Sequence, residues 1–161
     1  MNWTGAARTI VVCAILIVLH FTLRPLLAWR ASLDFLIVAL LLGAVRLRPG
    51  SAAVYGFLLG LVADSLAVGG FGASALGMSI VGFAASWLKA VFFADNLALN
   101  GFFLFLAKWV FDLIVLLVGI RSANGIAMQI FVWSPLSAAV TAVAGVIALS
   151  LLKPLMDVRT A

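Results

Sequence analysis

Five aspartates, one histidine and one cysteine make up the acid–base and thiol inventory of this 161-residue chain, which contains no glutamate. His20, Asp64 and Asp112 fall inside long apolar runs, together with Lys108. An ionisable group in such a run is expensive to bury, so it pairs with another or faces a wet cavity. Three uses fit this set of side chains. One is a proton or small-molecule site within a helix bundle. Another is internal pairing that fixes the register of neighbouring helices, the best-attested use of buried polar groups. The third turns the charges toward a helix of a partner protein.

Other chemistries lack their residues. There is no Gly-x-Ser-x-Gly, no paired glutamates and no Asp-rich metal motif. His20 and Cys13 have no second His or Cys at ligand spacing, so neither a metal nor a cofactor is expected. The Gly69-Gly70-Phe71-Gly72 turn lacks the Lys-Ser or Lys-Thr of a phosphate loop. This inventory is too small for an enzyme.

The elements that carry these residues are membrane helices. The chain is 66% hydrophobic and 9% charged, whereas a soluble domain averages about 25% charged residues. Its net charge of +5 reflects basic residues that flank apolar runs, and so points to a lipid bilayer and not to nucleic acid. The apolar runs are 9–29, 31–47, 51–68, 73–93, 97–120 and 126–152. The first covers about the 20 residues that a span needs, and the second is short. Pro25 ends or kinks the first helix near Leu23, and Trp133-Ser134-Pro135 interrupts the last, leaving 135–152 as the span proper. Residues 1–161 thus read as a single all-α integral membrane domain, a six-transmembrane-helix bundle. With the N-terminus inside, Arg8, Arg46, Arg48, Lys89, Lys153 and Arg159 lie on the cytoplasmic side, against Arg24, Arg30 and Arg121 outside. That balance puts both termini in the cytoplasm.

In this topology the first, third and fifth helices run the same way, and His20, Asp64 and Asp112 differ in depth by only about 6 Å. Lys108 lies one turn from Asp112, so His20, Asp64, Lys108 and Asp112 are expected to form one intramembrane polar cluster. Arg30 and Asp34, also one turn apart, are expected to pair at the outer end of the second helix. The third helix carries Ala52, Gly56, Gly60 and Asp64 at every fourth position, a face that lets two backbones approach closely. Gly77, Gly82 and Ser86 offer small residues on the fourth helix. Trp87, Phe92, Phe93, Phe102, Phe103, Phe105, Trp109 and Phe111 are concentrated around helices four and five, where they cover the bundle against lipid or grip a partner helix.

The motif Gly56-Phe57-Leu58-Leu59-Gly60-Leu61-Val62-Ala63-Asp64 lies between Leu33-Asp34-Phe35-Leu36, Arg46-Leu47-Arg48-Pro49-Gly50 and the later Gly72, Ala75-Leu76-Gly77 and Val81-Gly82-Phe83. In order and length, this pattern resembles the rod shape-determining protein MreD family across essentially the whole chain. Lys108 is a departure that the resemblance does not assign. The resemblance implies a non-enzymatic subunit of the cell-elongation machinery in the bacterial inner membrane. It also implies association with a bitopic MreC-type protein and, indirectly, with the MreB filament and the peptidoglycan glycosyltransferase and transpeptidase. The implied fold is similar to that of the substrate-binding subunits of energy-coupling-factor transporters, which supplies the alternative of a vitamin-type small-molecule binder. The short third-to-fourth and fifth-to-sixth connections argue against a closed ligand site and leave room for one open to the lipid. No catalytic residues carry over; Gly56, Gly60 and Asp64 match the motif as packing and orientation residues.

Overall fold

The computed structural model describes residues 3–23, 34–65, 71–88, 97–118 and 128–156. Every regular element among them is helical: α1 (Trp3–Leu23), α2 (Phe35–Ala44), α3 (Pro49–Ser65), α4 (Ala73–Trp87), α5 (Leu97–Val118) and α6 (Ser134–Met156), with a π-helical turn over Gln129–Trp133 just before α6. Among the described residues, Ala98–Val118 and Gln129–Ala148 are long and apolar enough to cross a membrane. Arg24, Pro25, Arg30, Gly69, Gly70, Lys89, Phe92, Phe93 and the 121–125 loop, all singled out from sequence, lie outside the described residues.

The second helix departs most from expectation. Its ten residues, about 15 Å of helix, cover half of a hydrocarbon layer of about 30 Å. Every one of them is buried. α2 packs against α1, α3, α4, α5 and α6 and forms the axis of the bundle. Its sequence, FLIVALLLGA, has no polar side chain on any face, so every side can accept an apolar neighbour. Side-chain hydrogen bonds reach it from flanking elements. The Cys13 thiol (3.6 Å) and the Tyr55 hydroxyl (3.2 Å) both donate to the Ala39 carbonyl. Just beyond its end, the Ser86 hydroxyl donates to the Leu47 carbonyl at 2.7 Å. Gly43 makes room for the Tyr55 ring, which a Cβ there would overlap.

The glycine-bearing α3 lies toward the outside of the bundle, against α2 and α4. Its outward residues Val54, Phe57, Leu58 and Val62 are exposed, whereas Ala52, Gly56, Leu59, Gly60, Ala63 and Asp64 are buried. The organising centre of the fold is therefore α2 and not the small-residue face of α3. That face serves the α3–α4 pair.

The interruption near Pro135 is a change of helix type and not a break. Proline lacks an N–H and crowds the carbonyl four residues back, which strains a regular α-helix. Here the turn before it widens, and the Ser134 N–H donates to the Gln129 carbonyl, five residues back. α6 then presents Ser134, Ser137, Ala138, Thr141, Ala142 and Gly145 to the interior. A Cβ on Gly145 would meet Leu104 on α5 at 2.9 Å and Val38 on α2 at 3.1 Å, so α6 sits close to both helices.

Candidate functional site

Two buried polar centres stand out, and they divide the four residues expected to share a single cluster, one to the first and three to the second. The first joins α3 to α4. The helices run antiparallel, and each step of four along α3 moves about four residues back along α4. A Cβ on Gly82 would lie 2.7 Å from the Ala52 carbonyl oxygen. Added to Gly56, it would overlap the Met78 carbonyl; added to Gly60, it would overlap the Ala75 backbone. These are backbone-to-backbone contacts, which small residues make possible in a membrane. Gly77 faces the other way, toward α5, where its Cβ would lie 2.9 Å from the Phe111 ring.

Asp64 closes this seam at the end of α3. It is 3% exposed and accepts hydrogen bonds from the backbone N–H groups of Gly72 (2.9 Å), Ser74 (3.2 Å) and Ala75 (3.1 Å). The first turn of any helix has N–H groups without intrahelical partners, and in lipid each costs several kcal/mol if left bare. α4 begins after Gly72, whose φ of +101° suits glycine and which has no side chain with which to cap. The preceding helix supplies the cap instead. The Gly-x-x-x-Gly-x-x-x-Asp spacing is thus one device: close backbone contact followed by a remote carboxylate cap.

The expected membership of Asp64 in a cluster with Lys108 is therefore corrected. Both its oxygens are committed to the start of α4, and equal depth along parallel helices does not place two groups side by side.

The second centre gathers the remaining three predicted residues around an acid that sequence reasoning placed elsewhere. Lys108 on α5 donates to Asp112 Oδ1 at 2.6 Å, one turn along the same helix, and to Asp34 Oδ2 at 3.1 Å. His20 Nδ1 on α1 lies 3.5 Å from the other Asp34 oxygen. The Asp34 backbone N–H donates to the Thr141 hydroxyl on α6 at 3.3 Å. Lys108 is 3% exposed, and its ammonium also lies 5.0 Å from the centroid of the Phe111 ring. Asp34, at the N-cap of α2, thus binds three other helices to the axial one. It does not stand at an outer interface, and Arg30, its expected partner, lies outside the described residues.

Two members of this centre were missed. Asp34 was visible as an acid at the edge of an apolar run, but nothing in one sequence tells a nearby arginine from a lysine 74 positions away. Thr141 gave no signal, since a threonine within a helix commonly bonds its own backbone. The aromatic residues divide between outside and inside. Trp87 and Phe102 are exposed, Phe103, Phe105 and Trp109 are half-buried, and Phe111 is buried beneath Gly77 and Lys108.

The charged groups of the second centre face one another. Each described aspartate has a backbone or side-chain partner within the bundle, and the described residues hold no group of three metal-ligating side chains.

Comparison with curated proteins finds no match, and comparison with solved structures finds none either. The likeness to transporter subunits therefore rests on the resemblance alone, and the vitamin-binding alternative gains no support. The family model described as rod shape-determining protein MreD matches residues 6–158. A match over nearly the whole chain, with the Gly56–Gly60–Asp64 device at the α3–α4 seam, settles the assignment: this chain belongs to the MreD family of rod shape-determining proteins.

Proposed function

We propose that the chain is a non-enzymatic, six-span scaffold of the bacterial inner membrane. It binds the single membrane helix of an MreC-type bitopic protein and so helps to position peptidoglycan synthesis during rod-shaped growth. Through that partner it is linked to the MreB filament and to the glycosyltransferase and transpeptidase. Both termini lie in the cytoplasm, on the balance of basic residues between the two sides.

The observation that carries this reading is how the interior is filled. α2 occupies the axis with all ten residues buried, and the described acids, with Lys108, are committed to structural contacts. Groups so engaged are poorly placed for acid–base catalysis, which needs a titratable side chain within reach of a substrate. What the molecule offers to others is its apolar exterior, including Val54, Phe57 and Leu58 on α3 and Ile80 and Phe83 on α4.

Purification of the full chain in mild detergent tests the proposal. The expected result is stoichiometric recovery of a bitopic protein with an extracytoplasmic domain. Recovery instead of an ATPase module with a bound vitamin overturns the scaffold role.

A further inference from the structure

The turn from α2 into α3 presents two exposed arginines, Arg46 and Arg48, on a backbone held by several hydrogen bonds. The Val45, Arg46 and Leu47 N–H groups donate to the carbonyls of Leu41, Gly43 and Ala44, each at 3.1 Å. The Leu47 carbonyl accepts from Ser86 at 2.7 Å, and the Arg48 carbonyl accepts from the Ala52 N–H at 2.8 Å. Pro49 then fixes the backbone at the first position of α3. Cytoplasmic orientation requires only basic charge near a span, and a loose lysine would meet that need. A pair of planar guanidinium forks on a hydrogen-bonded turn has a more specific use. They match the geometry of phosphate oxygens, and the hydrogen-bonded backbone leaves only the side chains to be ordered on binding.

The depth of the turn fits a lipid headgroup. Lys108 lies halfway along α5, with about 16 Å of helix on one side and about 15 Å on the other. The ionic centre therefore lies near the middle of the bilayer. Asp34 of that centre begins α2, and the ten residues of α2 descend about 15 Å from it, half the thickness of the hydrocarbon. This puts Arg46 and Arg48 at headgroup level. Trp87, next in sequence to Ser86, which bonds the turn, is 76% exposed, as suits an aromatic belt at the interface. The first residues of α3 leave the approach open, for a Cβ on Gly50 would meet nothing within 4 Å.

We propose that the Arg46–Arg48 turn binds the phosphate of an anionic phospholipid, with Trp87 packed beside the glycerol region. Lipid retention is measured on the chain alone, so its outcome is distinguishable from that of the scaffold reading.

The full-length protein reconstituted in nanodiscs of phosphatidylglycerol mixed with phosphatidylcholine tests it. Native mass spectrometry counts the lipids retained as the disc is stripped. Each basic residue near an anionic surface contributes about a fivefold preference, so the R46Q/R48Q protein is expected to lose roughly 30-fold in phosphatidylglycerol retention. The R46K/R48K protein keeps the charge but lacks the planar forks, so its retention should fall between wild type and R46Q/R48Q, and cooperative melting of both variants in pure phosphatidylcholine should show that the fold is kept. Equal phosphatidylglycerol retention by wild type and R46Q/R48Q overturns the proposal. So does a wild type with no lipid preference whose turn instead binds a poly-glutamate probe, since the ligand would then be an acidic protein segment.

Discussion

Asp64 and Asp34 are both buried aspartates in an apolar bundle, yet they are satisfied in opposite ways. Asp64 meets three backbone N–H groups and no formal charge among the contacts described. Asp34 meets an ammonium ion and an imidazole from two other helices. The first joins two helices that are consecutive in sequence, and the second joins helices far apart. A carboxylate held by backbone dipoles loses hydrogen bonds when it is neutralised, but strands no opposite charge. A carboxylate held by Lys108 belongs to a set in which removing one member leaves the others unbalanced. The two centres should therefore respond differently to substitution.

The largest effect is expected where charge is stranded. Lys108→Met leaves Asp34 and Asp112 buried without the ammonium between them, and breaking a buried pair this way costs about 3–5 kcal/mol. Thermal unfolding in detergent should show a large drop in Tm. Adding Asp34→Asn and Asp112→Asn to the same protein should recover most of it, since a neutral set strands nothing. If Lys108→Met alone melts like wild type, the ionic centre is not what holds α2.

Next comes the seam. Gly60→Leu drives a side chain into the Ala75 backbone, which cannot move aside as a flexible side chain would. Overpacking costs about 1–3 kcal/mol, and here separation of α3 from α4 should also expose the cap. Thermal unfolding in detergent should show a clear fall in Tm, and hydrogen exchange of the Ala75 amide should rise. Unchanged melting and unchanged rod-shape function would count against the backbone seam.

Asp64 gives a graded test within the same device. Asp64→Ala removes the acceptor for three N–H groups at the start of α4. An unsatisfied buried group costs about 1–3 kcal/mol, whereas Asp64→Asn keeps one acceptor oxygen and should lose less, about 1 kcal/mol. Hydrogen exchange of the Ser74 and Ala75 amides should rise in the alanine variant and much less in the asparagine one. An equal rise in both would mean that charge, and not hydrogen bonding, is what Asp64 supplies.

These contrasts also explain what one sequence could disclose. The α3 seam was legible because its cause is local and periodic: small residues every fourth position state that a backbone must come close. The sequence could not state which helix comes close, nor that Asp64 would cap that helix. The role of α2 was hidden for a different reason. In water, a helix apolar on every face signals burial, but in lipid the same composition suits the outside equally well. Only its shortness set it apart. The ionic centre was half legible: His20, Lys108 and Asp112 declare themselves as charge in apolar runs. Asp34 was assigned to the nearer arginine, because separation along the chain says nothing of separation across a bundle.

The smallest effects sharpen the difference between a glycine that is needed and one that is merely present. Gly77→Ala brings a Cβ to 2.9 Å from the Phe111 ring, a side chain able to rotate by a few tenths of an ångström. Its cost should stay below about 1 kcal/mol, because the small overlap is relieved by the ring and partly offset by the better helix propensity of alanine. Gly50→Ala has the opposite sign. Nothing lies within 4 Å of the added carbon, and alanine in a helix is favoured over glycine by about 0.5–1 kcal/mol. A small rise in Tm is therefore expected at Gly50, a small fall at Gly77 and a large fall at Gly60. A fall at Gly50 comparable to that at Gly60 would mean that glycine in this bundle is selected for something other than the room it leaves.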